Sequence, residues 1–226
     1  FILTKCGHSS GLRHSDWSPA LIEPSIARSL KRLRTDCLDV VQLHSCSEEA
    51  LRNGDVVAAL RRARDKGMTR FIGYSGDGAA AVYAAGCGEF DTLQTSLSIA
   101  DQEAVDGAVA QAHRRGLGIV AKRPIANAVW IPRSDGLDWY YRPYRDRLKT
   151  LDYDFLRGDT GNSAAIALRF TLGVPGVHTA IVGTTKASRW AENAAVVEAG
   201  PLAPSEYDAI RARWRAVAQP DWVGQR

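Results

Sequence analysis

The chain has 226 residues, of which 45% are apolar and 24% are charged, with six Trp, seven Tyr and five Phe. This composition excludes a mainly disordered chain, because it supplies enough apolar side chains for a core. The 29 basic and 25 acidic residues give a net charge of +4, and the basic residues are scattered, so we expect no nucleic-acid partner. No apolar run approaches the roughly 20 residues of a membrane span, so we expect no membrane partner.

Four cysteines lie at Cys6, Cys37, Cys46 and Cys87. They form no Cys-x-x-Cys pair and have no His at zinc-finger spacing, so we expect neither a metal site nor a disulfide framework. We interpret them as reduced thiols of a cytoplasmic protein. The chain begins at Phe1, without an initiator Met or a signal peptide, and opens directly on a strand-like run. We therefore expect that an upstream segment of a longer protein is missing.

Short apolar runs typical of strands alternate with helical patterns along the chain. Several runs are apolar on both faces, which indicates parallel strands covered by helices. The predicted strands are Phe1–Lys5, Leu38–His44, Arg70–Ser75, Thr92–Leu97, Leu117–Lys122 and Thr179–Gly183. Apolar residues at spacings of three and four predict helices over residues 19–34, 55–66, 102–115, 163–173, 187–199 and 205–218.

The repeated strand–helix units predict an α/β fold in a single domain over residues 1–226. Six strands fit an open doubly wound sheet, and they fit equally a (β/α)8 TIM barrel that lacks its first two strand–helix units. No Gly-x-Gly-x-x-Gly follows any strand, which disfavours a dinucleotide-binding doubly wound sheet. Residues 130–160 are rich in aromatic and charged side chains, and we predict that they form a long functional loop.

Polar side chains stand at the carboxyl ends of the predicted strands, where a TIM barrel has its active site. If the first two strands are neighbours, Lys5 and His44 lie near each other at the carboxyl-terminal end of the barrel. A Lys beside a His in such a place tends to have a shifted pKa, which is what proton transfer in catalysis uses. A lysine at a strand end more often just reaches solvent, and a histidine there is ambiguous. The prediction of a site therefore depends on the whole set of polar strand ends. The others are Ser75, Gln94, Lys122 with Arg123, and Gly183–Lys186.

Several segments of the chain, in order, carry a family resemblance. They are Ile2–Lys5, Ser29–Ser45, Phe71–Ser75, Gln94, and Ile181–Thr184 followed by Arg189, Glu192 and Asn193. The most specific is the run SLKRLRTDCLD, Ser29–Asp39, which leads to His44. Together these segments resemble the aldo-keto reductase family.

The resemblance implies a (β/α)8 barrel that uses NADPH to reduce aldehydes and ketones to alcohols. By this resemblance the catalytic residues are Lys5 and His44. Lys5 would act with an Asp to tune a proton-donating Tyr, and His44 would orient the substrate carbonyl. In the family, that Asp and Tyr lie upstream of the position of Lys5. The 226-residue chain by itself is therefore expected to be inactive or nearly so.

The resemblance also implies the residues that contact NADPH. Ser75 and Gln94 match residues that hydrogen-bond the carboxamide. Arg189, with Lys186, matches a site for the 2′-phosphate, which favours NADPH over NADH. The remaining implied contacts are Lys122, Arg123, Pro124 and Ile125 beneath the nicotinamide and pyrophosphate, Gly183, Thr184, Thr185 and Lys186 around the adenosine phosphate, and Glu192 and Asn193 at the adenine.

Two positions depart from the family pattern. Lys122 stands where the family often has an aromatic ring on the nicotinamide, and Gly76 stands where an Asn usually adds a carboxamide hydrogen bond. These departures keep open a non-catalytic NADPH-binding accessory or sensor protein of the same fold. A third possibility is an aldolase-like barrel that forms a Schiff base on Lys5 or Lys122. The expected partner is a small carbonyl compound, and the aromatic residues of 130–160 favour an apolar one.

Overall fold

The computed structural model describes residues 1–132 and 138–225. Within these ranges the chain forms two compact units, one of residues 1–95 and 107–119 and the other of residues 96–106 and 120–225. The single domain expected from the sequence stays a prediction. In the described ranges, no helix is both long enough and apolar enough to cross a bilayer.

In the part of the chain that the structure describes, six strands alternate with helices, as the sequence pattern predicts. They are β1 (Leu3–Cys6), β2 (Leu38–His44), β3 (Thr69–Ser75), β4 (Thr92–Ser96), β5 (Gly118–Lys122) and β6 (Thr179–Ile181). The observed bounds of β2 are the predicted ones, and the other strands differ by one or two residues at an end.

Among the described residues, three α-helices were not predicted by the sequence analysis: α2, α4 and α6. The α-helices are α1 (Pro19–Leu33), α2 (Glu48–Asn53), α3 (Asp55–Asp65), α4 (Gly78–Gly86), α5 (Ala110–Arg114), α6 (Asp138–Leu151), α7 (Thr160–Leu172), α8 (Arg189–Glu198) and α9 (Pro204–Val217). A π turn over Val105–Val109 precedes α5, so the predicted helix over 102–115 is irregular in its first half.

The first unit is built on a parallel ladder in which β1 pairs with β2, β2 with β3, and β3 with β4. Parallel strands bury both faces, which explains their apolar runs. Val41 and Ile72 lie in register on neighbouring strands and are fully buried. On the helix side, α1 buries Leu21, Ile22 and Ile26 at helical spacing.

Gly73 lies at the most crowded point of this ladder. It is in register with Gln42 on one side and Thr92 on the other, and Gln42 Nε2 donates to Thr92 Oγ1 at 3.3 Å. A Cβ at position 73 would lie 2.0 Å from Thr92 Oγ1 and 2.8 Å from the Thr92 carbonyl oxygen. Because backbone cannot move aside as a side chain can, any residue larger than glycine at position 73 is strained.

In the second unit, residues 130–160 are not the predicted loop. They contain α6 and a 3-10 turn over Asp154–Arg157, while residues 133–137 of that stretch lie outside the described residues. Tyr141, Tyr144 and Leu148 of α6 pack into the hydrophobic core of this unit. The stretch folds as a helix because this apolar face can be buried, although Pro143 inside the helix removes one backbone hydrogen bond.

The four cysteines are free thiols, as expected. Cys6 and Cys46 are buried in the first unit. Burial, with a smaller contribution from Cys46, raises the pKa of Cys6 to about 12, and burial raises the pKa of Cys46 to about 11. Both thiols therefore stay protonated at neutral pH, and a protonated thiol is a poor nucleophile.

Replacement of Gly73 by Ala should destabilise the chain by about 1–3 kcal/mol, the usual cost of forcing extra atoms into a packed interior. Gly118→Ala in β5 is the matched control, because a Cβ there meets no atom closer than 3.4 Å. The free energy of unfolding from urea titration checks this. Equal values for the two variants would contradict the crowding described at Gly73.

A disulfide exchange reagent at pH 8 should label Cys37 and Cys87, which are partly exposed, well before Cys6 and Cys46. The buried pair should react only as the chain unfolds, because both their thiolate fraction and their access are low. Labelled peptides identified by mass spectrometry over time measure the order. Equal labelling rates for all four thiols in the folded chain would show that the predicted protection is wrong.

Candidate active site

The parallel register of the first unit places three of the predicted residues in one row. His44 of β2 is in register with Ser75 of β3, and Ser75 is in register with Gln94 of β4. Lys5 of β1 is in register with Gln42, two residues before His44. Because side chains two apart on a strand share a face, Lys5 lies on the same face of the sheet as this row, one step closer to the strand starts.

Ser75 and Gln94 are buried polar side chains with atoms that lack a hydrogen-bond partner. They are 0% and 3% exposed, and Ser75 Oγ and Gln94 Oε1 make no hydrogen bond to any part of the chain that the structure describes. Their backbones are anchored, since Ser45 N–H donates to the Ser75 carbonyl and Gly76 N–H to the Gln94 carbonyl. Leaving such atoms unpaired costs stability, so a ligand that pairs with them gains binding energy.

Gly76, which departs from the family pattern, has a local cause. The side chain of Tyr74 occupies the space beside it: a Cβ at position 76 would lie 2.3 Å from the Tyr74 hydroxyl oxygen and 2.6 Å from its ring carbon Cζ. That hydroxyl donates to the Cys46 carbonyl at 2.7 Å, which fixes the ring. An Asn at position 76 is excluded by this packing.

The loop between β1 and α1 adds residues that the sequence analysis did not select. His8 Nδ1 lies 2.8 Å from Asp16 Oδ2, and the His8 ring meets the His44 ring edge-on with centroids 5.0 Å apart. Hydrogen bonds from the Ser9 backbone N–H and from His8 lower the pKa of Asp16 to about 2. The sequence signal was weak, because a His and an Asp eight residues apart in a loop have no fixed relation until the loop folds.

In the second unit, the residues after β5 are held by the α6 helix. Arg123 donates from Nε to the Tyr140 hydroxyl at 3.1 Å and from Nη1 to Ser96 Oγ at 2.7 Å. Its backbone has a left-handed φ of 59°, and Pro124 accepts a hydrogen bond from the Thr171 hydroxyl. Lys122 and Ile125, the other predicted residues here, are both partly buried.

Farther inside this unit, a buried phenol and carboxylate form a short hydrogen bond. Tyr144 is fully buried, and its hydroxyl donates to Asp101 Oδ2 at 2.6 Å. Burial and the Asp101 carboxylate raise the pKa of Tyr144 well above its ordinary value. Tyr144 therefore has a structural role, and both Tyr141 and Tyr144 are core residues of this unit. The expected preference for an apolar carbonyl compound stays a prediction.

The residues predicted to hold the adenosine end of the cofactor lie on β6, α8 and the turn between them. Thr184 Oγ1 accepts from the Lys186 backbone N–H, and Arg189 Nη1 lies 3.0 Å from Glu192 Oε2. Gly183, Thr184, Thr185 and Lys186 are exposed, Asn193 is half-buried, and α8 has no buried residue. The guanidinium of Arg189 has five N–H donors, so it can pair with Glu192 and a phosphate at once.

No group of three or more His, Cys, Asp or Glu side chains in the described ranges is arranged to hold a metal ion. The polar side chains described above comprise a row of donors and acceptors within the first unit and, separately, a set of cations within the second unit.

A family model described as the Aldo/keto reductase family matches residues 1–215. The chain therefore belongs to the aldo-keto reductase family. In the curated protein L-galactose dehydrogenase from Arabidopsis thaliana, the match is 33% identical over 78 residues, which is 33% of this chain and 24% of that protein. The match thus spans about a quarter of that relative's length.

Solved structures of the aldo-keto reductase AKR11C1 from Bacillus halodurans share the fold. The match to the holo form has a TM-score of 0.72 and 22% sequence identity. It covers 98% of this chain and 75% of the AKR11C1 chain. The apo form has a TM-score of 0.71 and 22% identity over 95% of this chain and 77% of its own. These structures are (β/α)8 barrels, so the predicted barrel-type fold is confirmed.

Replacement of Ser75 by Ala should stabilise the chain by about 1 kcal/mol, because it removes a buried hydroxyl that has no partner. Ser98→Ala should do the opposite, since the equally buried Ser98 Oγ accepts a hydrogen bond from the Ala100 N–H. Thermal and urea unfolding of both variants measure the signs. A loss of stability in Ser75→Ala would mean that its hydroxyl has a partner in the free protein.

Proposed function

We propose that the protein binds NADPH and that the whole protein reduces the carbonyl group of a small molecule to an alcohol. The observation that carries this proposal is the buried row of Ser75 Oγ and Gln94 Oε1, both unpartnered in the described structure. A hydroxyl that donates and an amide oxygen that accepts complement the C=O and NH₂ of a carboxamide. The residues therefore fit the nicotinamide end of the cofactor.

Within the second unit, taken by itself, the charged side chains fit the phosphate groups of NADPH. Lys186 and Arg189 supply two cations on the turn and first residue of α8. A 2′-phosphate carries nearly two negative charges and pairs well with a guanidinium, so these residues favour NADPH over NADH. Arg123, held by Ser96 and Tyr140, provides a further fixed cation for a pyrophosphate.

The catalytic roles that we assign to residues of this chain concern the oxygen of the substrate's carbonyl group. The bound cofactor supplies a hydride to the carbonyl carbon. An N–H of the His44 ring donates a hydrogen bond to the oxygen, which becomes negative as the hydride arrives. Lys5, on the same face and the neighbouring strand, places a cation near that point, where it stabilises negative charge and favours ionisation of a proton-donating Tyr. In the family that Tyr lies upstream of the position of Lys5, and its hydroxyl would supply the proton that converts the alkoxide to the alcohol.

The L-galactose dehydrogenase match agrees with an oxidoreductase that acts on a small hydroxylated compound. The same machinery runs in either direction, because hydride transfer between a carbonyl and an alcohol is reversible. We propose reduction as the direction for this protein on the basis of its NADPH-type cations.

Nicotinamide fluorescence of the purified chain tests the cofactor proposal. We expect NADPH to bind more tightly than NADH. Gln94→Leu should weaken the binding of both nucleotides by roughly tenfold. Both carry the carboxamide, which would lose one hydrogen bond to a buried acceptor. Absence of binding to either nucleotide by a chain with native circular dichroism would refute the proposal.

Arg189→Gln should weaken the binding of NADPH by roughly tenfold or more and leave the binding of NADH nearly unchanged. The reason is that only NADPH has the 2′-phosphate that pairs with the guanidinium. The matched control is Arg32→Gln on α1, an exposed arginine far along the chain from the implied phosphate site. The same fluorescence titration measures both nucleotides. An equal loss for NADPH and NADH would assign Arg189 to another part of the cofactor.

A further inference from the structure

The loop between β1 and α1 presents a second His beside the proposed catalytic His44. His8 is partly buried, its ring meets His44 edge-on at 5.0 Å between centroids, and it meets the Trp17 ring at 4.8 Å. Neither His8 nor Asp16 belongs to the residues that the family resemblance implies. The pair therefore needs its own explanation.

Hydrogen bonding fixes which nitrogen of His8 carries the proton. The Asp16 carboxylate also accepts a hydrogen bond from the Ser9 backbone N–H at 2.7 Å, and it is ionised at neutral pH. An ionised carboxylate can only accept, so His8 Nδ1, at 2.8 Å, must be the donor. In the neutral ring, Nε2 is then an acceptor.

That acceptor is unused. Within residues 1–132 and 138–225, His8 makes its one hydrogen bond through Nδ1 and its ring contacts with Trp17 and His44. Nε2 thus remains for a ligand, on a ring whose centroid lies 5.0 Å from the centroid of the ring that we assign to the carbonyl oxygen.

The loop is tied to the strand that carries His44, so the two rings keep their relation. Trp17 N–H donates to the Gly7 carbonyl at 2.6 Å, and Trp17 Nε1 donates to the His44 carbonyl at 2.9 Å. Gly7 has a φ of 117°, and a Cβ there would lie 3.0 Å from the Trp17 ring. Arg28 of α1 also donates to the Ser10 carbonyl. Such cross-links favour a preorganised site.

We propose that His8, oriented by Asp16, accepts a hydrogen bond from a hydroxyl group on the carbon next to the reacting carbonyl. The substrate class is then α-hydroxy aldehydes and ketones and the corresponding vicinal diols. This inference rests on the proposed function, since it takes His44 as the contact of the carbonyl oxygen. Oxygens on adjacent carbons are close enough for one to bind His44 and the other to bind the ring that touches it.

Binding to the NADPH-saturated chain tests this assignment without turnover, because an alcohol and NADPH are both the reduced members of their redox pairs and cannot exchange a hydride. The probes are propane-1,2-diol and propan-1-ol, which differ by the one hydroxyl. Histidine ¹⁵N chemical shifts should show the Nδ1–H tautomer for His8 in the free chain. Propane-1,2-diol should bind roughly tenfold more tightly than propan-1-ol and should shift the His8 Nε2 resonance, as one added hydrogen bond predicts.

Three variants separate recognition from packing. His8→Phe keeps a ring against His44, and it should reduce the preference for the diol to less than about twofold while the affinity for propan-1-ol is unchanged. Asp16→Asn should give a mixture of His8 tautomers and an intermediate preference. His14→Phe, an exposed His of the same loop that makes no hydrogen bond in the described structure, should leave the preference intact.

The outcomes distinguish this inference from the proposed function. If NADPH and propan-1-ol bind and perturb His44, but the diol has no advantage or keeps its advantage in His8→Phe, the role of His8 is overturned and the proposed function stands. If neither NADPH nor propan-1-ol binds to the folded chain, the proposed function fails and this inference fails with it. An Nε2–H tautomer of His8 in the free chain would overturn the inference by itself.

Discussion

The site of the first unit depends on the register of its parallel ladder. Pairing of β2 with β3 and of β3 with β4 aligns His44, Ser75 and Gln94, three residues that are far apart in the chain. A shift of one residue in either pairing would turn a side chain to the opposite face, where the helices cover the sheet. The proposed cofactor and substrate contacts therefore depend first on strand pairing, which decides which side chains lie together, and then on the chemistry of those side chains.

Close packing around this ladder explains two glycines. Gly73 leaves room for the hydrogen bond between Gln42 and Thr92, and Gly76 leaves room for the Tyr74 ring. The departure at Gly76 is thus a matter of packing, and it does not by itself argue for a non-catalytic protein. The two residues that we propose as the remaining carboxamide contacts, Ser75 and Gln94, have polar atoms that are unpartnered in the described structure.

The second unit holds its cations by a different means. Arg123 is fixed by hydroxyl groups from Ser96 and Tyr140. The helix α6, which carries Tyr140, is itself anchored by the hydrogen bond between Tyr144 and Asp101. A fixed guanidinium loses less conformational entropy on binding an anion than a mobile one. On α8, in contrast, Arg189 is only paired with Glu192, and the helix has no buried residue. Order in this helix is expected to increase when a nucleotide binds.

The helix α6 shows where the sequence pattern was misleading. Tyr141, Tyr144, Leu148 and Leu151 recur at helical spacing, but Pro143 and the many charges of the segment are typical of a loop. Propensity is a weak guide when tertiary packing rewards burial. The short helix α2 and the Ala-rich α4 were also missed, since neither shows a clear periodicity over its length.

The sequence by itself determined the order of the strands and of most helices, the family, and which side chains end each strand, because apolar periodicity and local motifs are properties of neighbouring residues. Tertiary structure alone decided that Ser75 and Gln94 are buried without partners, that Tyr74 excludes a side chain at Gly76, and that His8 is fixed by Asp16 against His44. These relations join residues through space, so they exist only after the chain has folded, and local sequence carries no measure of them.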